Sequence, residues 1–251
     1  MDLKINQDVR RAIAARGFAW IPRAAWSAGL SLQPHWDRLV EDWEHLETDR
    51  FLQGGAKFRQ RRYGRYRWSP ATDALEALAQ EPYYQPADEN SYAGGIAREF
   101  APLRADTVNN PFVHALVRAT FACLPLAAGQ QNKTWEVRIH QIRIVATPET
   151  PGLPAPEGIH QDGTDFLTLH LVRRHNIVGG ETTIYDLERQ PIEHCTLRET
   201  LDSLILEDPR IMHGVTPVDS ADGRNLGIRD LLGVDFLCRP PVRARADFRL
   251  V

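Results

Sequence analysis

The sequence predicts an α+β protein with a mainly β core, an antiparallel sandwich or barrel whose early helices cover one sheet from outside. Three observations lead there. From about Trp135 six β-branched runs, "TWEVRIHQIRIVAT", "FLTLHLV", "ETTIYDL", "LDSLILED", "RIMHGVTPV" and "RDLLGVDFL", follow one another, broken by Gly, Pro and Asp. No helix-length periodic segment separates them, which argues against parallel βαβ units. Before residue 135 the apolar residues recur at spacings of three and four, the period of helices with one buried face.

Each element follows from its own residues. "NQDVRRAIAARG" has a capping residue at its start and Gly17 to stop it, and "FAWIP" then reads as a short strand. In "SLQPHWDRLVEDWEHLE", Leu32, Trp36, Leu39, Val40, Trp43 and Leu46 make one apolar stripe. "NPFVHALVRATFACLPL" repeats the pattern with Phe112, Leu116, Val117, Phe121 and Leu124 behind an N-cap at Asn110. In the strand "WEVRIHQIRIV", Trp135, Val137, Ile139, Gln141, Arg143 and Val145 share one face, so Gln141 and Arg143 stand in line with apolar neighbours. Polar groups lining a barrel would look like that, and so would an exposed edge. Gln141 and Arg143 are therefore candidates for substrate binding, Arg143 for a substrate carboxylate. "ETPGLPAPEG" is a loop, and Asn176 in "HNIVGG" is a turn residue. No domain boundary or repeat stands out, so residues 1–251 are expected to form one domain, with helical covering elements mainly in 1–134 and the β core at about 135–240.

Composition narrows the function. The formal net charge of −3 gives no global positive field that would draw the chain to nucleic acid or an anionic membrane, so a small-molecule partner fits better. The three cysteines, Cys123, Cys195 and Cys238, are odd in number and form no C-x-x-C pair, which suits a reducing cytoplasm. Neither a signal peptide nor a membrane span is expected.

The chemistry concentrates in "PEGIHQDGTDF", Pro156 to Phe166. Side chains two apart on a strand point to the same face, so His160 and Asp162 can aim an imidazole and a carboxylate at one point. A Gly- and Asp-rich surface turn would explain the composition equally well. His213, in the strand-like "RIMHGVTPV", is the best third ligand among nine histidines. Two His and one carboxylate occupy one face of an octahedral ion and leave three positions open, the arrangement of non-haem Fe(II) oxygenases. Arg229 heads the last strand. A buried guanidinium there is costly without a partner, which a carboxylate-bearing cosubstrate would supply bidentately. The alternative is a salt bridge to Asp230 or Asp235. Arg224, in "SADGRNLG", reads as exposed on a solvated loop.

The segments "RIHQIRI", "PAPEGIHQDGTDF", "RHNIVGGETTIYD", "MHGVTPV" and "RDLLGVDF" resemble, in order and spacing, the 2-oxoglutarate/Fe(II) dioxygenase family that includes bacterial L-isoleucine 4-hydroxylases, over about Tyr63 to Phe236. The resemblance implies a double-stranded β-helix (jelly-roll) core and Fe(II) at His160, Asp162 and His213. It also implies 2-oxoglutarate held at its far carboxylate by Arg229. O2 is the second cosubstrate, with ascorbate an in-vitro helper. The reaction implied is hydroxylation or sulfoxidation of a free L-amino acid or close derivative, with release of succinate and CO2. The carboxylate at Asp162 leaves no coordination site for chloride there, which favours hydroxylation over halogenation.

One segment favours another class. "KFRQRRYGRYRWSP" interleaves Lys57, Arg59, Arg61, Arg62, Arg65 and Arg67 with Tyr63, Tyr66 and Trp68, a mixture that stacks bases and neutralises phosphates. An oxygenase of nucleic acid or of a carrier-bound substrate is thus the second reading, and a metal-binding jelly-roll without redox turnover the third. A strand hairpin with its arginines in intramolecular pairs is the competing, favoured account of the segment.

Overall fold

The computed structural model describes residues 3–6, 8–87 and 90–238. Helix α1 (Val9–Arg16) begins where the Asp8 side chain accepts the Arg11 amide and ends at Gly17, whose φ of 81° glycine adopts without steric cost. Strand β1 (Phe18–Ile21) follows at once. Helix α2 (Gln33–Glu41) tightens into a 3-10 turn over Asp42–His45. The anticipated stripe therefore buries Leu32, Trp36, Leu39 and Trp43, while Val40 and Leu46 are half-buried. Helix α3 (Pro111–Phe121) is capped by the Asn110 side chain, which accepts the Phe112 amide, and buries Phe112, Leu116, Val117 and Phe121. Among the described residues no helix is long and apolar enough to cross a membrane, and the three cysteines are free thiols.

The Arg-rich segment forms strand β2 (Arg59–Ser69), the first arm of a hairpin whose return arm is Ala74–Ala77. All six runs expected as strands are present: β3 (Trp135–Ala146), β4 (Phe166–His175), β5 (Thr182–Tyr185), then, after β6 (Pro191–Cys195), β7 (Ser203–Leu206), β8 (Met212–Val215) and β9 (Gly227–Leu237). The larger sheet runs β1–β7–β4–β9–β3–β2, is extended past β2 by Glu47–Thr48, and pairs antiparallel throughout. A smaller antiparallel sheet runs β6–β5–β8. A cavity lies between them, lined by β2, β3, β4 and β9 on one side and by His213 and Val215 of β8 on the other. This is the jelly roll.

Alternation along the strands divides the larger sheet into two faces. Trp135, Val137 and Ile139 of β3 pack with Leu232, Val234 and Phe236 of β9 beneath Trp36, Phe112 and Leu116 of the helices, forming the main core. Turned the other way, His140, Ile142 and Ile144 of β3 and Arg229, Leu231, Gly233 and Asp235 of β9 line the cavity, with Gly233 opposite His140 and Leu231 opposite Ile142.

This parity corrects the reading of Gln141 and Arg143. Both belong to the helix-covered face. Gln141 is fully buried and donates to Thr107 Oγ1 at 3.2 Å; Thr107 in turn donates to Asp42. Arg143 forks onto Asp230 at 2.7 and 3.0 Å and reaches Glu44 at 3.0 Å. A strand buried on both sides carries polar groups on both, so their position beside apolar residues marked burial but not the cavity. Asp230 has no exposed surface and also accepts from Arg173. Asp230→Ala leaves Arg143 with only the surface carboxylate of Glu44. It is expected to lower stability in urea unfolding by roughly 3–5 kcal/mol, as for one partner of a buried ion pair.

Candidate active site

His160 and His213 are joined by reciprocal backbone hydrogen bonds, His160 N–H to the His213 carbonyl and His213 N–H to the His160 carbonyl, both 3.0 Å. The isolated bridge brings their rings to a centroid distance of 4.3 Å. His160 and Asp162 therefore do not sit on a regular strand. They lie on a loop pinned to the start of β8, with left-handed turns at Gly158 (φ 81°) and Gly163 (φ 73°) on either side. Asp162 Oδ2 stands 3.9 Å from His160 Nε2 and 3.7 Å from His213 Nε2, and one ligand atom from each residue lies within 4.8 Å of the others. These separations are too long for hydrogen bonds and leave room for one ion between the three.

The surroundings orient this set. His160 Nδ1 donates to the Gly158 carbonyl at 2.9 Å, which turns Nε2 toward the carboxylates of Glu157, at 3.2 Å, and Asp162, at 3.9 Å. Asp208, buried in the turn before β8, accepts the Asp162 amide with Oδ1 and the Thr164 amide with Oδ2, both at 3.0 Å, and so sets the course of the ligand loop. Burial pushes the Asp162 carboxyl up to about 7, with the carboxylates of Asp208, Asp235 and Glu157 adding to it against the opposing pull of His160. Burial drives His213 well below the ordinary imidazole range. Burial opposes a charged His160 as well, but the neighbouring carboxylates of Asp162 and Glu157 outweigh it and raise that imidazole. A divalent cation would relieve the buried Asp162 carboxylate, and two imidazoles with one carboxylate are a donor set that fits iron.

The rest of the cavity is part apolar and part cationic. Leu167, Leu169, Leu231, Ile142 and Val215 form its greasy wall. Arg229 is 1 % exposed; its Nε and one terminal nitrogen have no hydrogen-bond partner. Neither suggested salt bridge forms, because Asp230 faces Arg143 and Asp235 accepts from His140 at 3.0 Å. Gly180 (φ 70°) makes room for Arg229, since a Cβ there would lie 3.3 Å from Arg229 Cδ. Burial and neighbouring Arg174 pull the Arg229 guanidinium down to about 10. Arg224 is exposed on its loop, and Asn176, at φ 50°, donates to the carbonyls of Asn225 and Leu226 as a turn residue.

The structure thus brings His160, Asp162, His213 and Arg229 to one cavity and turns Gln141 and Arg143 away from it. It adds residues that the sequence alone gave no place in the site, Asp208, Gln85, Tyr83, His140 and Arg98, and draws Arg59 and Arg61 of the Arg-rich segment into the cavity. For His140 the signal was parity, since it alternates with Gln141 on β3. The Arg-rich segment divides along its length and not by parity: Arg59 and Arg61, near the start of β2, line the cavity, whereas Arg65 and Arg67, further along the same register, bond Glu136 and Glu76, and Arg62 bonds Glu47. Tyr63, Tyr66 and Trp68 are buried, so no base-stacking surface remains there.

A jelly roll with two histidines and a carboxylate converging at one end of its cavity, and a buried guanidinium, Arg229, held in its wall without a carboxylate partner, defines the class of non-haem iron, 2-oxoglutarate-dependent oxygenases. The family model described as 2OG-Fe dioxygenase matches residues 40–235. The chain belongs to that family and is a dioxygenase using Fe(II), 2-oxoglutarate and O2. It is 27% identical over 198 residues to an L-isoleucine-4-hydroxylase of Bacillus thuringiensis, covering 78% of this chain and 80% of the relative. It is 22% identical over 235 residues to a 3(1)-hydroxy-L-isoleucine 4-dioxygenase of Pantoea ananatis, covering 89% and 93%. The solved structure of a bsmA homolog from Methylobium petroleophilum superposes with a TM-score of 0.78 at 29% identity, covering 91% of each chain.

Asp208→Ala is expected to leave the three ligand side chains in place but free their loop, weakening metal affinity by roughly 10–100-fold in a Mn(II) or Fe(II) titration. An unchanged affinity would show that the loop needs no such brace.

Proposed function

We propose that the protein hydroxylates a free L-amino acid with an aliphatic side chain, or oxidises a sulfur-containing one, with release of succinate and CO2. In this reading His160, Asp162 and His213 hold Fe(II), and Arg229 holds the far carboxylate of 2-oxoglutarate. The observation that carries it is the pairing, in one cavity, of a three-ligand set with a buried guanidinium that, among the described residues, no carboxylate neutralises. The names of the two relatives support an amino-acid substrate.

Held by His160, Asp162 and His213, iron together with 2-oxoglutarate would supply an oxidant from O2 able to hydroxylate an unactivated C–H bond, with one oxygen atom going to product and the other to succinate as CO2 is lost. The protein's own residues do the rest. Gly158 fixes the tautomer of His160, and Asp208 keeps the Asp162 carboxylate turned inward. Arg229 offers unspent donors in a fork that matches a carboxylate, and Gly180 and Gly233 leave space beside Arg229 and His140. The leucines of β4 and β9 keep water from the reacting carbon and favour an aliphatic side chain there.

The nucleic-acid reading loses its ground because Arg62, Arg65 and Arg67 of β2, the arginines outside the cavity, are already paired with Glu47, Glu136 and Glu76. A screen of protein and common non-protein amino acids with Fe(II), ascorbate and 2-oxoglutarate is expected to find one or more aliphatic or sulfur-containing members that stimulate succinate release and gain 16 mass units, the mass of one oxygen atom. A screen in which only nucleic acid or a carrier-bound substrate stimulates turnover contradicts the proposal. Arg229→Ala is expected to raise the 2-oxoglutarate dissociation constant well over tenfold, from the roughly 2–5 kcal/mol lost with a desolvated charge partner, and Arg224→Ala to change it little. The reverse ranking, measured anaerobically by calorimetry, removes Arg229 from the role.

A further inference from the structure

A second cationic position lies in the same cavity, away from Arg229. Arg61 projects from β2 and Arg98 from the loop that precedes α3; they are 7% and 2% exposed. Both guanidiniums sit over the same two rings: Arg61 is 3.9 Å from the Phe100 centroid and 5.6 Å from that of Tyr83, and Arg98 is 4.9 Å from Tyr83 and 5.7 Å from Phe100. Like charges held this close in a dry site repel, and burial together with neighbouring Arg59 draws Arg61 down to about 10. Among the described residues neither has a carboxylate partner.

Their polar contacts are neutral. Arg61 donates to His140 Nδ1 at 2.7 Å, which obliges that imidazole to carry its proton on Nε2 and donate it to Asp235 at 3.0 Å. The ring is therefore uncharged and does not offset Arg61, and burial holds it so. Arg98 donates to Gln85 Oε1 at 2.6 Å. The Nε atoms of both arginines are buried without a partner. Arg59 is built differently, with Asp49 at 2.7 Å. Folding thus neutralises one arginine of this wall and leaves two uncompensated, an arrangement whose desolvation cost an anionic ligand would offset.

Position separates this pair from Arg229. β3 lies between β2 and β9, with Ile142 flanked by Arg61 on one side and Leu231 on the other, so Arg61 and Arg229 spring from strands two places apart in the sheet, their backbones separated by roughly 10 Å. Gln85 also links Arg98 to the metal-ligand loop, donating to the Asp162 carbonyl at 3.2 Å.

We infer that Arg61 and Arg98 form the anchor for the carboxylate of the amino-acid substrate, with Tyr83 and Phe100 as its floor, while Arg229 takes the cosubstrate. The inference rests on the proposed amino-acid hydroxylation. The anchor sets which end of the substrate faces away from the ligand set and leaves the side chain to the leucine wall. A group that lacks the carboxylate has nothing to offer these donors.

The test uses the wild-type enzyme and the amino acid that most stimulates its succinate release, compared with the carboxamide of the same amino acid, followed by Arg61→Met and Arg98→Met. Wild type is expected to prefer the acid over the amide by at least tenfold in kcat/KM. Each variant should raise KM for the acid at least tenfold, leave the 2-oxoglutarate dissociation constant within about twofold, and shrink the acid-over-amide preference; Arg98→Lys should recover part of it. A preference that survives in both variants, or a loss that falls on 2-oxoglutarate instead, overturns the anchor. Should a methionine variant fail to fold, the wild-type comparison decides: an amide used as well as the acid overturns it. A wild-type enzyme that no amino acid stimulates refutes the proposed reaction itself, a result distinct from an amino acid turned over with no regard for its carboxylate.

Discussion

Two backbone hydrogen bonds between His160 and His213 are the constraint on which the site depends. Each contributes only about 1 kcal/mol net, yet they splice a loop without regular structure onto β8, the strand of the smaller sheet that faces the cavity. Once that splice is made, the two imidazoles are neighbours by construction. Asp162 needs only the left-handed turn at Gly163 and the grip of Asp208 on its amide to complete the set. The ligands therefore come from one sheet and its attached loop, whereas the guanidiniums come chiefly from the larger sheet opposite.

Electrostatics then assigns the space between them. A low-dielectric cavity penalises every unpaired charge, and most of the buried charges are paired within the protein: Arg59 with Asp49, Arg143 and Arg173 with Asp230, Arg65 and Arg138 with Glu136. Asp235 is spent on a neutral histidine. Of the arginines that line the cavity, Arg229 on one side and Arg61 with Arg98 on the other keep unspent donors and, among the described residues, no carboxylate partner. Charges left unpaired at the two flanks of a metal-binding set are what two anionic ligands, bound together, would require.

Much of this was legible in the sequence. The helix caps at Asp8 and Asn110, the stop at Gly17 and the six strands from Trp135 follow from local chemistry, which tertiary packing reinforced. The convergence of His160, Asp162 and His213 was legible from the resemblance to a known family, since H-x-D alone is common and a Gly- and Asp-rich turn explains it as well. The sides of the strands were not. β3 is buried on both faces, so a periodicity of two tells that Gln141 and His140 look opposite ways without telling which way the cavity lies. The sequence reading chose the helix side, and Gln141 and Arg143 proved to bind Thr107 and Asp230. The Arg-rich strand was ambiguous as well. Arg62, Arg67 and Arg65 meet Glu47, Glu76 and Glu136, and nothing local distinguishes them from Arg61, whose partner His140 is 79 residues away. Asp208 acts through backbone amides 44 and 46 residues earlier, a relation that only the folded chain displays.

The central claim is that one ion sits between His160, Asp162 and His213 with the two anionic ligands held apart by different arginines. An anaerobic crystal structure of the Fe(II) enzyme with 2-oxoglutarate and its amino-acid substrate tests it directly. The account predicts metal density bonded to Nε2 of both histidines and to the Asp162 carboxylate. The far carboxylate of 2-oxoglutarate should lie in the fork of Arg229, and the substrate carboxylate between Arg61 and Arg98. Metal bound elsewhere, or 2-oxoglutarate reaching Arg61 and Arg98 while Arg229 stays unliganded, would contradict it.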